Sequence, residues 1–102
     1  MLTGKQRSYL RGLGNNLDVI FQIGKNGIED AFIIQVQQAL EKRELIKIKV
    51  LENSGLDTRE ASDIICKKAQ CEGVSAVGSK MVLYKESENH KTIEIPEKGR
   101  KK

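Results

Sequence analysis

The chain has no tryptophan, one proline, one histidine, two cysteines and only four aromatic residues, Tyr9, Phe21, Phe32 and Tyr84. So few aromatics argue against a surface that holds nucleic acid by stacking many bases. Two thiols do not make a secreted disulfide scaffold, and a reducing compartment is expected. Cys66 and Cys71 with a distant His90 cannot supply the four ligands of a structural zinc site. Nor does that lone histidine make a Cys–His nucleophile, which needs the two groups held side by side. No pair of carboxylates lies in an apolar context that would tune it for acid–base work. Catalysis is therefore not expected, and no cofactor or metal is expected either. No apolar run approaches the roughly 18 residues of a membrane span, and no leader pattern opens the chain. A soluble, cytoplasmic protein without a membrane partner is the expectation.

What is present is a length of 102 residues, suited to one domain, and a modest cationic excess. Eighteen Lys and Arg against fourteen Asp and Glu give a net charge of +4, which allows an anionic partner without requiring one. Thr3 and Gln6 form a capping-box pattern that opens a first helix, with Tyr9, Leu10, Leu13 and Leu17 marking its apolar face. Lys5, Arg7 and Arg11 lie on its polar side, and Gly12, Gly14, Asn15 and Asn16 end it. Asp18 to Ile23 reads as a strand. A second helix is predicted from about Ile28 to Arg43, through Ile28, Phe32, Val36, Ala39 and Leu40. Leu45 to Leu51 alternates, with Ile46, Ile48 and Val50 on one side and Lys47 and Lys49 on the other, as in a strand with one buried face.

Asp57 with Glu60 repeats the capping box for a third helix over Thr58 to Ala69, whose inner face is Ala61, Ile64, Ile65 and Ala69. Two short strands, Val74 to Val77 and Met81 to Lys85, follow as a hairpin. Residues 1–86 are read as the domain and 87–102 as a charged, flexible tail. The expected fold is an α/β two-layer sandwich in α-β-α-β-α-β-β order with a four-stranded mixed sheet, helices two and three sharing one face. The place of helix one is open. Two phosphate-binding signatures fail on inspection. In Gly73 to Lys80 the serine precedes the lysine and a strand follows, and Gly12-Leu13-Gly14 ends a helix instead of leaving a strand.

The stretch Gly24-Lys25-Asn26-Gly27 is the strongest candidate site. Two glycines permit positive φ and close approach, and a following helix N-terminus, worth roughly half a positive charge, suits a phosphate. The structural alternative is that Asn26 caps the second helix, with Glu29 completing an Asn-x-x-Glu box and Lys25 merely solvated. The acidic pair Glu29-Asp30 favours that alternative. A Gly-x-x-Gly loop also clamps single-stranded backbone in KH domains, where it joins two helices.

Leu2-Thr-Gly-Lys-Gln-Arg7, Val19 to Ile23 running into Gly24-Lys-Asn-Gly27, Gln38-Ala-Leu40, Glu44-Leu-Ile-Lys-Ile-Lys49 and Val82-Leu-Tyr84 together resemble the bacterial YhbY family. These are stand-alone members of the CRM domain group, and the resemblance spans about residues 2 to 86. It implies an RNA-binding domain similar in fold to the C-terminal domain of translation initiation factor three. It also implies RNA contact through Gly24, Lys25, Asn26 and Gly27, and association with precursors of the large ribosomal subunit. Lys5, Arg7 and Arg11 would extend the track, with ribosomal RNA or a pre-ribosomal particle as partner and ribosomal proteins as further contacts. The alternative is an adaptor that docks on a ribosomal protein or assembly factor through Lys47, Lys49 or the tail.

Overall fold

A computed structural model describes residues 2–89 together with Ile93; most of the expected tail, 94–102, lies outside the described residues. The order is α1 (Gly4–Gly14), β1 (Val19–Ile23), α2 (Asp30–Arg43), β2 (Leu45–Val50), α3 (Thr58–Ala69), β3 (Glu72–Val77) and β4 (Lys80–Tyr84), with one 3-10 turn at Glu52–Ser54. The α-β-α-β-α-β-β order read from the sequence holds, and the four strands form one mixed sheet in the order β1-β2-β4-β3. β1 and β2 are parallel, while β4 lies antiparallel between β2 and β3.

Both capping boxes form as read. The Thr3 side chain accepts from the Gln6 N–H at 3.1 Å and Gln6 answers at 2.9 Å, and Asp57 pairs with Glu60 in the same way. Each satisfies two helix-end donors that would otherwise need water. Local sequence is enough to specify such a motif, which is why α3 has its expected limits.

The alternation of β2 and β4 divides the apolar residues between two cores. Ile46, Ile48 and Val50 join Met81 and Leu83 under α2 and α3, with Ile33, Val36, Leu40, Ala61, Ile65 and Ala69. The opposite face carries the smaller cluster Leu10, Leu45, Val74, Val82 and Tyr84, so α1 docks there. The two-layer expectation is thus extended: α1 adds a third layer, and it covers part of the sheet only. The α1 seam also differs from the predicted stripe. Leu10 and Gly14 are buried, whereas Tyr9 and Leu13 remain 43% and 37% exposed. Gly14 lets the helix approach the sheet closely, since a Cβ there would sit 3.0 Å from both Val82 methyl groups. A contact made through glycine leaves no hydrophobic mark in the sequence.

The link between α2 and β2 holds a buried carboxylate. Glu44 is fully buried at φ +65°, and its two carboxylate oxygens accept from the Ser87 and Ile93 N–H groups, both at 2.8 Å. Glu41 beside it accepts from the Ser87 hydroxyl at 2.8 Å and the Asn89 N–H at 3.0 Å. Backbone donors thereby compensate for the water the carboxylate has lost. The nearby Tyr84 hydroxyl is raised to about 12, first by burial and then by the charges of Glu44 and Glu86.

Candidate nucleic-acid interface

Gly24 to Gly27 is a four-residue β-turn closed by the Gly27 N–H on the Gly24 carbonyl at 2.9 Å. Lys25 and Asn26 form its exposed corners. The two glycines do different work. Gly27 has φ +70°, a conformation that side chains disfavour, so its role is in the backbone. Gly24 has no such φ, and a Cβ on it would make only ordinary contacts, 3.8 Å to Asn53 Oδ1 and 3.9 Å to Leu51 Cδ1. Nothing inside the fold demands glycine at 24.

The expected junction with α2 is corrected. The helix begins at Asp30, not Ile28, with Glu29 as an extended N-cap (φ −96°, ψ 162°) that makes no side-chain cap bond. Asn26 therefore does not cap it, and the Asn26–Glu29 box is not formed. The left-handed Gly27 redirects the chain, and Ile28 is drawn down onto the main core before the helix starts. The turn does not open directly onto a helix N-terminus. Any anion held there depends on the turn's own amides and on cations brought from elsewhere.

Such cations are supplied by the sheet. On the α1-bearing face, β2 presents Leu45, Lys47 and Lys49 in succession, and β4 presents Tyr84, Val82 and Lys80 opposite them. The residues packed against α1, Leu45, Val82 and Tyr84, are apolar, Lys47 lies across from Val82 at their edge, and Lys49 and Lys80 follow at the far end. Lys49 stands directly across from Lys80 and is registered with Gln22 on β1. Like charges directly opposite each other on antiparallel strands destabilise the sheet, and a bound anion would relieve that repulsion. The C-terminal ends of β1 and β2 and the β3–β4 hairpin lie at this same end of the sheet. The Leu51 N–H donates to the Ile23 carbonyl at 2.9 Å, tying the glycine turn to the loop after β2.

The predicted helix-one cations are not all brought to that area. Lys5 and Arg11 are exposed on α1. Arg7 instead donates from Nε to the Gly73 carbonyl at 3.0 Å, on edge strand β3, at the opposite side of the sheet from β1 and the turn. There it lines a cleft of about 350 Å³ with Arg59, Ser62, Asp63 and residues 73–76. Arg7 thus helps to dock α1, whatever else its guanidinium touches. Sequence reasoning gave Lys47 and Lys49 to the adaptor alternative and passed over Lys80. The alternation could have exposed the first two, but the Lys49–Lys80 juxtaposition depends on strand pairing that no short motif reveals.

Among the described residues no group of three or more His, Cys, Asp or Glu is arranged to hold a metal ion, and no helix is long and apolar enough to cross a membrane.

Comparison with known proteins bears on which anion. The "Probable RNA-binding protein YqeI" of Bacillus subtilis is 45% identical over 96 residues, covering 94% of this chain and 100% of that protein. An "RNA-binding protein" of Haemophilus influenzae is 34% identical over 101 residues, covering 95% and 97% of the two chains. The solution structure of SAV1595 from Staphylococcus aureus, described as a candidate RNA-binding protein, matches with a TM-score of 0.76 at 43% identity, over 94% of this chain and 100% of that one. The CRS1 / YhbY (CRM) domain profile matches residues 2–85, essentially the whole folded unit. The chain belongs to the CRS1/YhbY (CRM) domain family.

Proposed function

We propose that this chain binds ribosomal RNA, free or in a precursor particle, during assembly of the large ribosomal subunit in the cytoplasm. As a CRM-domain protein it is an RNA-binding module and not an enzyme. The ribosomal assignment, and the likeness of fold to the C-terminal domain of translation initiation factor three, rest on the family resemblance. The RNA backbone passes over the Gly24–Gly27 turn, where Lys25 and the turn amides meet phosphate. It continues across Lys49, Lys80 and Lys47 toward Arg11 and Lys5. The observation that carries this path is the facing of Lys49 and Lys80, an arrangement that is unfavourable alone and suited to a polyanion. Phosphate contacts of this kind position the RNA without reading its bases.

The test is RNA affinity as a function of salt. Each phosphate neutralised on a single strand contributes about −0.7 to the slope of log affinity against log salt. Three to five contacts give about −2 to −3.5. A salt-insensitive complex overturns the mechanism. Lys25→Ala combined with Lys49→Ala is expected to weaken binding and flatten the slope at unchanged thermal stability. Unaltered binding by that variant would move the site elsewhere. Sequencing RNA crosslinked to the protein in cells tests the ribosomal part separately, and recovery of messenger RNA alone would refute it.

A further inference from the structure

Cys66 and Cys71 stand at defined positions of a helix C-terminus. α3 ends through Gln70 in the left-handed conformation (φ 57°, ψ 51°), and the Cys71 N–H donates back to the Cys66 carbonyl at 3.1 Å. This is the Schellman arrangement, in which the residue just past the left-handed position is folded onto the residue five before it, and the two side chains meet. Those positions are normally filled by an apolar pair. Here both are thiols, free and half-buried against the main core.

We propose that Cys66 and Cys71 are a redox modification site, a dithiol held ready by the helix cap and closed to an intramolecular disulfide by a peroxide. The Cys66 sulfur attacks one peroxide oxygen, the O–O bond breaks, and the departing hydroxide takes up the thiol proton as water. The Cys71 sulfur then attacks the resulting sulfenic acid, the S–O bond breaks, and the second water leaves with the Cys71 proton. Two electrons pass from the thiols to the peroxide, and one S–S bond forms.

The order of attack follows from the surroundings. The hydrogen bond from Cys71, with a further one from Ser62, holds Cys66 below the usual thiol range against the opposing effect of burial. The same hydrogen bond and burial push Cys71 upward. The Ser62 hydroxyl and the Cys66 sulfur also lie side by side against Gly73, 3.3 and 3.6 Å from a Cβ built there, so Cys66 is assigned as the nucleophile toward peroxide and Cys71 as the resolving thiol. The product staples the end of α3 beside β3. A Cβ built on Gly73 would lie 3.6 Å from Cys66 Sγ, and the Gly73 carbonyl is the group that receives Arg7 of α1.

The test is thiol counting on the folded wild-type protein treated with a small excess of hydrogen peroxide. Both thiols are expected to disappear together, in a monomeric chain lighter by two hydrogens, and to return on treatment with dithiothreitol. Cys71→Ser is expected to stop at a Cys66 sulfenic acid that dimedone traps, and Cys66→Ser to leave Cys71 unreacted. Retention of both thiols, disulfide formed only between chains, or equal dimedone labelling of wild type and Cys71→Ser overturns the proposal. Equilibration with glutathione tests the role of the cap. The disulfide is expected to resist reduction at least about tenfold better in the folded chain than in urea, since whatever stabilises the folded form is linked to it. Equal resistance in the two states would overturn preorganisation by the cap.

Discussion

The two halves of one sheet face, built from the same strands, make a controlled contrast. At one end β2 and β4 carry Leu45, Val82 and Tyr84, and α1 lays Leu10 and Gly14 over them. At the other end the same strands carry Lys49 opposite Lys80, and Lys47, directly across from Val82, stands at the boundary between the two. Secondary structure does not distinguish the halves, and only what is placed over them does. The covered half gains apolar burial, worth roughly 25 cal/mol per Å². The open half bears a like-charge repulsion that helps nothing in the free protein. Stability and recognition are thus divided along the length of two strands.

The contrast can be broken most severely from the covered side. Leu10 is fully buried, so Leu10→Ala is expected to cost about 2–5 kcal/mol in urea unfolding. Next comes Gly14→Ala, whose added methyl meets Val82 at 3.0 Å and should cost about 1–3 kcal/mol, less the helix propensity it gains. Val82→Ala in the same chain should lower that increment, as a double-mutant cycle would show. From the open side, replacing Lys47, Lys49 and Lys80 together with Ala should weaken RNA binding about tenfold and reduce the salt slope by roughly 2. The same triple change should leave stability equal or slightly higher, because the Lys49–Lys80 repulsion is gone. The smallest effects separate the two ends of the chain's local chemistry. Thr3→Ala removes a working cap and is expected to cost about 1 kcal/mol. Asn26→Ala removes none, and its melting curve should move by less than about 0.5 kcal/mol.

Those last two variants also mark what could be read from the sequence. Thr3 with Gln6, Asp57 with Glu60, the apolar alternation of β2 and the glycine turn are local patterns, and each appears where it was read. The features that were misread are set by tertiary packing. α2 starts at Asp30 because Ile28 is held by the core, a cause lying outside any capping motif. The α1 seam passes through Gly14, so Tyr9 and Leu13 looked like core residues and are not. Glu44 is fully buried although nothing in its neighbours signals it, since its partners Ser87 and Ile93 are more than forty positions away. For the candidate site the turn was legible and the cationic strip was not. Arg7 was grouped with the turn by its position in sequence, whereas strand order puts its anchor on the opposite edge.

The docking of α1 has a consequence in time. Its anchor at Gly73 lies 66 positions later in the chain, and its floor is Val82 and Tyr84. A ribosome adding roughly 5–20 residues per second needs several seconds to make that floor after the helix itself has been synthesised. Throughout that interval β1, α2 and β2 can already associate, because their contacts are close in sequence, while α1 has only Leu45 of its floor to rest on. In refolding, the loop closure that seats α1 is correspondingly the dearest in entropy. Changes at Leu10 are therefore expected to accelerate unfolding while leaving the folding rate nearly unaltered, with a φ-value close to zero. The helix synthesised first is the one placed last.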